Sequence, residues 1–143
     1  MSLAVDVGFL AYSPIVSTEL EFYFAPQQKG QLSINARFEG YGSYFSPSAG
    51  VNYSLGHKHQ LLTGINIAAP HMYYLGFLYN GWDMTPAVSP KIGYRFIMGK
   101  DKPTLYLQSY FSPFIFINYN ISTDYLWLDF YPSLHLGLGF YLN

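Results

Sequence analysis

The sequence predicts an all-β fold, a transmembrane up-and-down antiparallel β-barrel in a single domain that covers residues 1–143. Charged residues make up only 10% of the chain, whereas an average soluble domain carries about 25%. A membrane-spanning helix needs about 20 consecutive apolar residues, and the sequence contains no such stretch. Apolar and polar residues instead alternate with period two, which is typical of strands.

The alternation is clearest over residues 31–39, where Leu32, Ile34, Ala36 and Phe38 alternate with polar side chains. It recurs over 18–24, 88–96 and 133–142. Because successive side chains of a strand point to opposite faces, each of these segments has one apolar and one polar face.

Clusters of Gly, Pro, Asn and Asp divide the chain into eight predicted strands. These strands cover residues 3–12, 18–25, 31–42, 47–55, 60–69, 86–97, 103–118 and 125–142. Short basic turns at 26–30, 56–59 and 99–102 alternate with loops at 13–17, 42–47, 70–86 and 120–124. An even number of strands in this order closes into a barrel, with both termini on the side of the short turns.

Prolines inside the predicted strands complicate this assignment, because proline cannot donate a hydrogen bond to a ladder. We expect Pro14 and Pro47 at loop or strand-start positions, and Pro90, Pro113 and Pro132 at bulges or at the rim. If each proline instead marks a turn, the barrel has ten short strands.

The polar face of the strands indicates which side faces inward. It consists mainly of Gly, Ser, Asn, Gln and Tyr, with few charges of both signs, and this suits a narrow interior in which charges find partners. The alternative is a soluble barrel whose charges face water. The predicted lumenal polar network comprises Asp6, Glu19, Glu21, Arg37, Glu39, Lys91, Arg95, Asp129 and His135, with Asn35, Asn52, Asn66 and Gln108 as further bridging residues.

The apolar face is predicted to contact lipid, with aromatic residues at the ends of the strands. The lipid-facing residues are Leu20, Phe22, Leu32, Ile34, Phe38, Ile92, Leu134, Leu136, Leu138 and Phe140. The predicted interface girdle comprises Tyr44, Tyr73, Tyr74, Trp82, Tyr125 and Trp127.

With this strand pattern, its short turns and a polar lumen, the chain resembles the small eight-stranded outer-membrane β-barrels of Gram-negative bacteria, the OmpA/OmpX-like architecture. The final strand, with Leu134, Leu136, Leu138 and Phe140, is similar to the assembly signal of that family. The family's signal ends in an aromatic residue, whereas this chain ends in Tyr141-Leu142-Asn143. The resemblance implies a location in the cell outer membrane, with membrane lipid or detergent as a partner, and it allows another outer-membrane protein.

Catalytic, metal and cofactor sites are not expected. Ser133 and His135 share a strand face with Asp129, but residues two apart lie about 6.6 Å apart along a strand, so no Ser–His hydrogen bond is expected. His71 and Asp83 in the 70–86 loop could pair as base and acid, without a suitably placed serine. His57 and His59 are expected in a solvated turn.

Nucleic acid is excluded as a partner, because the net charge is −1 and no basic stripe is present.

We therefore expect a non-enzymatic integral outer-membrane barrel with a side-chain-filled lumen and a structural or partner-binding role within the membrane. Eight strands leave no aqueous channel once side chains fill the interior, and bulky lumenal residues such as Tyr23, Tyr106, Tyr110 and Tyr131 favour closure. The alternatives are a small pore or a barrel that binds lipid or another hydrophobic ligand, a lipid-modifying outer-membrane enzyme and a designed transmembrane barrel. Met1-Ser2-Leu3 lacks the basic and apolar regions of a signal peptide.

Overall fold

The computed structural model describes residues 1–10, 13–24, 30–41, 44–68, 72–73, 86–99, 105–120 and 124–142. All of the regular elements in these ranges are strands. The strands are β1 (Ser2–Leu10), β2 (Ser13–Tyr23), β3 (Gly30–Tyr41), β4 (Tyr44–Leu55), β5 (His59–Ala68), β6 (Met72–Tyr73), β7 (Ala87–Met98), β8 (Leu105–Phe111), β9 (Phe114–Asn120), β10 (Tyr125–Tyr131) and β11 (Ser133–Tyr141). Within the described ranges, no helix is long and apolar enough to cross a membrane.

Eight strands form a closed antiparallel up-and-down barrel, as the sequence predicts. The wall runs β1-β2-β3-β4-β5-β7-β8-β11, and β11 pairs with β1 to complete the ring. The termini meet at one end, where the backbone N–H of Leu142 donates to the carbonyl of Met1 at 2.8 Å. Closure removes the unpaired edges of the eight-stranded wall.

The last two predicted strands are each divided at a proline. The segment 103–118 divides at Ser112-Pro113 into β8 and β9, and 125–142 divides at Pro132 into β10 and β11. Above these breaks, β9 and β10 form a hairpin. It pairs with the wall at Ala87 and Val88 of β7, and Phe114 and Phe116 of β9 belong to the same buried cluster as wall residues such as Leu10 and Ile15. The prolines therefore interrupt strands without adding turns, so the wall keeps eight strands and does not gain two.

The prolines within β2, β4 and β7 share one structural setting. Among the described residues, each lies where its strand has no ladder partner on one side. The β2–β3 ladder begins at Val16, after Pro14; the β4–β5 ladder begins at Ser48, after Pro47; and Pro90 lies where β7 changes partner from β9 to β8. A missing N–H costs no hydrogen bond on a side that has no neighbour.

Two predicted loops are wrong for this reason. Residues 13–17 belong to β2, and residues 44–47 belong to β4, because the Ser-Pro pairs at these places are tolerated within strands. Pro14 is the second residue of β2, in agreement with the strand-start position expected for it. A tight turn is present elsewhere, at residues 56–58, where the φ angle of Gly56 is 118°. Gly99, just after β7, has a φ angle of 117°, which also suits glycine. Several predicted turns and loops lie outside the described residues. They are 26–29, 100–102 and most of the 70–86 loop, including His71 and Asp83.

The wall alternates between a buried inner face and an exposed outer face, and β1 does so at every position from Ser2 to Leu10. Inner side chains are mostly polar or charged, and outer ones are apolar. At the loop end the inner face changes character and forms an apolar layer of Leu10, Ile15, Ala68, Ala87, Phe114 and Phe116. The interior therefore has a charged body and an apolar layer at one end.

Candidate functional site: the charged lumen

The structure places eight of the nine predicted lumenal residues inside the ring, each at most 3% exposed. The ninth, Asp129, lies on β10, outside the ring, and is partly exposed. It has the inward parity of β11, but β10 extends beyond the point where the wall is closed. Tyr131 on the same strand is 43% exposed. The prediction that it fills the lumen is therefore wrong.

The predicted lipid-facing residues lie on the outer face, where Leu20 is half-buried and the other nine are at least 39% exposed. Of the predicted girdle, Tyr125 and Trp127 are exposed and lie on the β9–β10 hairpin. Tyr74, Trp82 and the side chains of Tyr44 and Tyr73 lie outside what the structure describes.

One ion pair crosses the middle of the lumen from β2 to β7, which face each other in the ring. The Nζ atom of Lys91 lies 2.9 Å and 2.8 Å from the two carboxylate oxygens of Glu19. The side-chain amide of Asn52 donates to the same carboxylate at 2.8 Å. Two charges buried together stay stable only when further hydrogen bonds satisfy their remaining atoms, and Asn52 supplies one.

A second ion pair joins the same two strands nearer the termini. The guanidinium of Arg95 donates to Glu21 at 2.7 Å, to the Tyr23 hydroxyl at 3.0 Å and to Gln108 at 3.1 Å. Tyr23 in turn donates to Glu21 at 2.7 Å. Gln108 also donates to Asp6 at 2.8 Å, so the network continues to β1. A planar fork with five donors can make several such bonds at once.

A third cluster lies towards the loop end. Arg37 forms an ion pair with Glu39, and its Nη2 atom lies 3.1 Å and 3.3 Å from the two ring nitrogens of His135. The imidazole stacks on the Tyr110 ring, with 4.7 Å between the ring centroids. Lys91 also lies over that ring, 4.2 Å from its centroid, so Tyr110 connects this cluster to the central ion pair.

Glycines make room for these large side chains. Gly93 pairs directly with Tyr110 across β7 and β8, and Gly139 pairs with Tyr106 across β11 and β8. A Cβ atom on either glycine would collide with the facing tyrosine. Small residues on one strand therefore leave room for the aromatic rings of the next strand inside the lumen.

The bridging role expected of the amides is only partly correct. Asn52 and Gln108 bridge charged groups, as described above. Asn35 and Asn66, although buried, have no hydrogen-bond partner for either side-chain polar atom in the part of the chain that the structure describes. They occupy inward positions on either side of Gly50, which contributes no side chain between them.

The expected separation of Ser133 and His135 is wrong. The Oγ atom of Ser133 lies 2.9 Å from Nε2 of His135, because side chains two apart can lean together even when their Cα atoms are far apart. A catalytic relay needs an acid on the opposite ring nitrogen, but Glu39 lies 3.9 Å from the same Nε2 atom. Ser133 also donates to the carbonyl of Ser112. The arrangement therefore lacks relay geometry, and both side chains are at most 1% exposed.

Sequence reasoning missed the apolar layer at the loop end. Ile15 faces inward and Val16 faces outward, so the alternation of polarity that distinguishes the faces is absent there. It also missed Ser2 and Ser33 as members of the network: Ser33 donates to Glu21, and Ser2 lies 2.7 Å from the Tyr23 hydroxyl. Their inward parity was the available signal.

Within the described residues, no group of three or more His, Asp or Glu is placed to hold a metal ion.

Comparison of the chain with protein-family models, curated proteins and solved structures found no match. The likeness to small outer-membrane barrels therefore rests on the architecture: an eight-stranded closed antiparallel barrel with a charged interior and an apolar exterior.

Proposed function

We propose that this chain is an integral outer-membrane β-barrel, with its wall in the lipid and its lumen closed by side chains, and that its role in the membrane is structural and not catalytic. One observation carries the proposal. Every Asp, Glu, Lys and Arg in the eight wall strands faces inward and is at most 3% exposed. In water-soluble barrels the charged residues lie outside, because water solvates them there.

The outer wall supports the same proposal from the other side. Large apolar side chains are exposed on all eight wall strands, and examples are Val7 at 58%, Ile67 at 66% and Leu136 at 59%. Soluble monomers rarely expose a contiguous apolar patch of more than a few hundred Å². A closed barrel also satisfies its backbone groups without water, which the interior of a bilayer requires.

Insertion into lipid tests the proposal directly. The chain is refolded into phosphatidylcholine vesicles and examined by circular dichroism and by heat-modifiable migration on detergent gels. We expect β-rich spectra, faster migration of the unheated sample and co-flotation with the vesicles. A chain that remains folded and monomeric in buffer without lipid or detergent would overturn the proposal.

Closure of the lumen is a separate part of the proposal. The pairs Glu19–Lys91 and Glu21–Arg95 each span the ring between opposite strands. Arg37, Tyr106 and Tyr110 fill further interior space and are each 1% exposed. We expect planar-bilayer recordings without discrete conductance steps. Reproducible steps from the purified barrel would favour the pore alternative instead.

A further inference from the structure

The outer wall carries a shallow groove of about 580 Å³ that crosses β1, β11, β8 and β7. This volume lies within the range of roughly 300–1,000 Å³ that is typical of small-molecule sites. One side of the groove is a row of cross-strand partners that share the outer face, and it consists of Val5, Leu138, Leu107 and Phe96. The lining is almost entirely apolar, so the groove suits a hydrocarbon chain.

The other side of the groove explains why it is there. It is the next outward row along the same strands, and it consists of Val7, Leu136, Ser109 and Tyr94. Ser109 is the one short side chain in either row, and it lies between the bulky Leu136 and Tyr94. The small side chain of Ser109 therefore leaves a depression in the outer surface of the wall, and this depression opens the groove between the two rows.

Among the described residues, Lys58 places a positive charge at one end of the groove. Phe96 pairs with His59 of β5, next to the Gly56–Lys58 turn. The Nζ atom of Lys58 lies 5.4 Å from the centroid of the Phe96 ring, and the His59 imidazole contacts the Tyr94 hydroxyl. At the opposite end, Val5 and Val7 of β1 have no charged side chain beside them on the outer face in the part of the chain that the structure describes. A ligand that fits both features has an apolar chain and an anionic head.

We propose that this groove binds an anionic phospholipid, with one acyl chain along the groove and the phosphate at Lys58. This inference rests on the membrane location proposed above. Apolar contact supplies the binding energy along the two rows, and the charge of Lys58 selects anionic over zwitterionic headgroups.

Native mass spectrometry of the barrel released from detergent micelles tests the proposal, with phosphatidylglycerol or phosphatidylcholine titrated into the micelles. We expect one phosphatidylglycerol to be retained, with about fivefold preference over phosphatidylcholine, as one lysine near a lipid headgroup provides. Lys58→Gln should remove this preference, whereas Lys29→Gln, which removes the same charge elsewhere in the chain, should leave it intact.

Filling the groove is the second arm of the experiment. Ser109→Leu should abolish retention of the lipid, and Ala49→Leu, an equivalent change at an exposed position of β4, should not. Equal retention of phosphatidylglycerol by the parent and Ser109→Leu, or no retention by the parent, would overturn the site. Heat-modifiable migration verifies folding of each variant, and Ser109→Val serves if Ser109→Leu fails to fold. Vesicle insertion is measured independently. Failure to insert would refute the membrane location, whereas normal insertion without retention of the lipid would refute the groove alone.

Discussion

Lys91 and Glu19 are 72 residues apart in sequence and form an ion pair at 2.8 Å across the full width of the barrel interior. They lie on β7 and β2, which are four positions apart in a ring of eight strands. Glu21 and Arg95 repeat this relationship one step nearer the termini. The two pairs tie opposite walls together, so lumenal electrostatics and barrel closure depend on each other.

Breaking the central pair should destabilise the barrel strongly. We expect Lys91→Met to lower the free energy of unfolding by about 3–5 kcal/mol, because it leaves the Glu19 carboxylate buried without its cation. The double variant Glu19→Gln with Lys91→Met should lose less than Lys91→Met alone, because no charge is then left unpaired. Urea titrations in vesicles measure both. Lys29→Met, in the turn predicted at residues 26–30, is the control. A loss below about 1 kcal/mol in Lys91→Met would contradict the prediction.

Arginine at position 95 should not be replaceable by lysine. Its guanidinium contacts Glu21, Tyr23 and Gln108 together, and a single ammonium group cannot reach all three acceptors in the same geometry. We expect Arg95→Lys to cost about 1–3 kcal/mol, since buried acceptors lose their donors. The same urea titration checks this. Unchanged stability would show that the positive charge at position 95 stabilises the barrel without the multiple hydrogen bonds of the guanidinium group.

Gly139 should tolerate no side chain while Tyr106 is present. A Cβ atom at Gly139 meets the Tyr106 ring, and overpacking of this kind costs about 1–3 kcal/mol. We expect Gly139→Ala to lower the unfolding midpoint and Tyr106→Leu to restore part of the loss when the two are combined. Additive losses in the double variant would argue against the contact.

An arginine on the outer face should be costly in lipid. Leu136 is 59% exposed on β11, and Leu136→Arg is expected to lose about 2–4 kcal/mol in vesicles if the position lies near the middle of the bilayer. Leu136→Phe, which stays apolar, serves as the matched control. If both variants unfold at the same urea concentration, the face is not in contact with lipid.

Spin labels should distinguish the two environments of the wall. Labels at Leu32, Phe38, Leu136 and Phe140 are expected to collide readily with oxygen dissolved in lipid and poorly with a water-soluble nickel complex. A label at Lys58, in the exposed turn, should show the reverse. Strong accessibility to the nickel complex at the four wall positions would refute their assignment to lipid.

Much of the barrel follows from the sequence through parity. Charges at 37 and 39, or at 91 and 95, share a face whatever the rest of the chain does, because a strand places every second side chain on the same side. Composition then identifies that face as the interior. The seven charged residues of the wall strands are accordingly all inward in the structure.

Height along the barrel was harder to predict. Asp129 and Tyr131 share parity with the lumenal His135. They lie on β10, however, which Pro132 separates from β11 and which belongs to the hairpin outside the ring. Parity also carries no information where both faces are apolar, as at Ile15 and Val16. The loops predicted at Ser13-Pro14 and Ser46-Pro47 are wrong for a related reason: whether a missing N–H interrupts a strand depends on whether a neighbouring strand lies beside it.

The sequence by itself determined the fold class and the side of the wall to which each charged residue of the eight strands belongs, because these depend on local geometry and hydrophobicity alone. Only the tertiary structure decided which charges meet. Pairing Glu19 with Lys91, or Arg37 with His135, requires the stagger at which the strands close into a ring. That stagger is a property of all eight strands together, so no single segment encodes it.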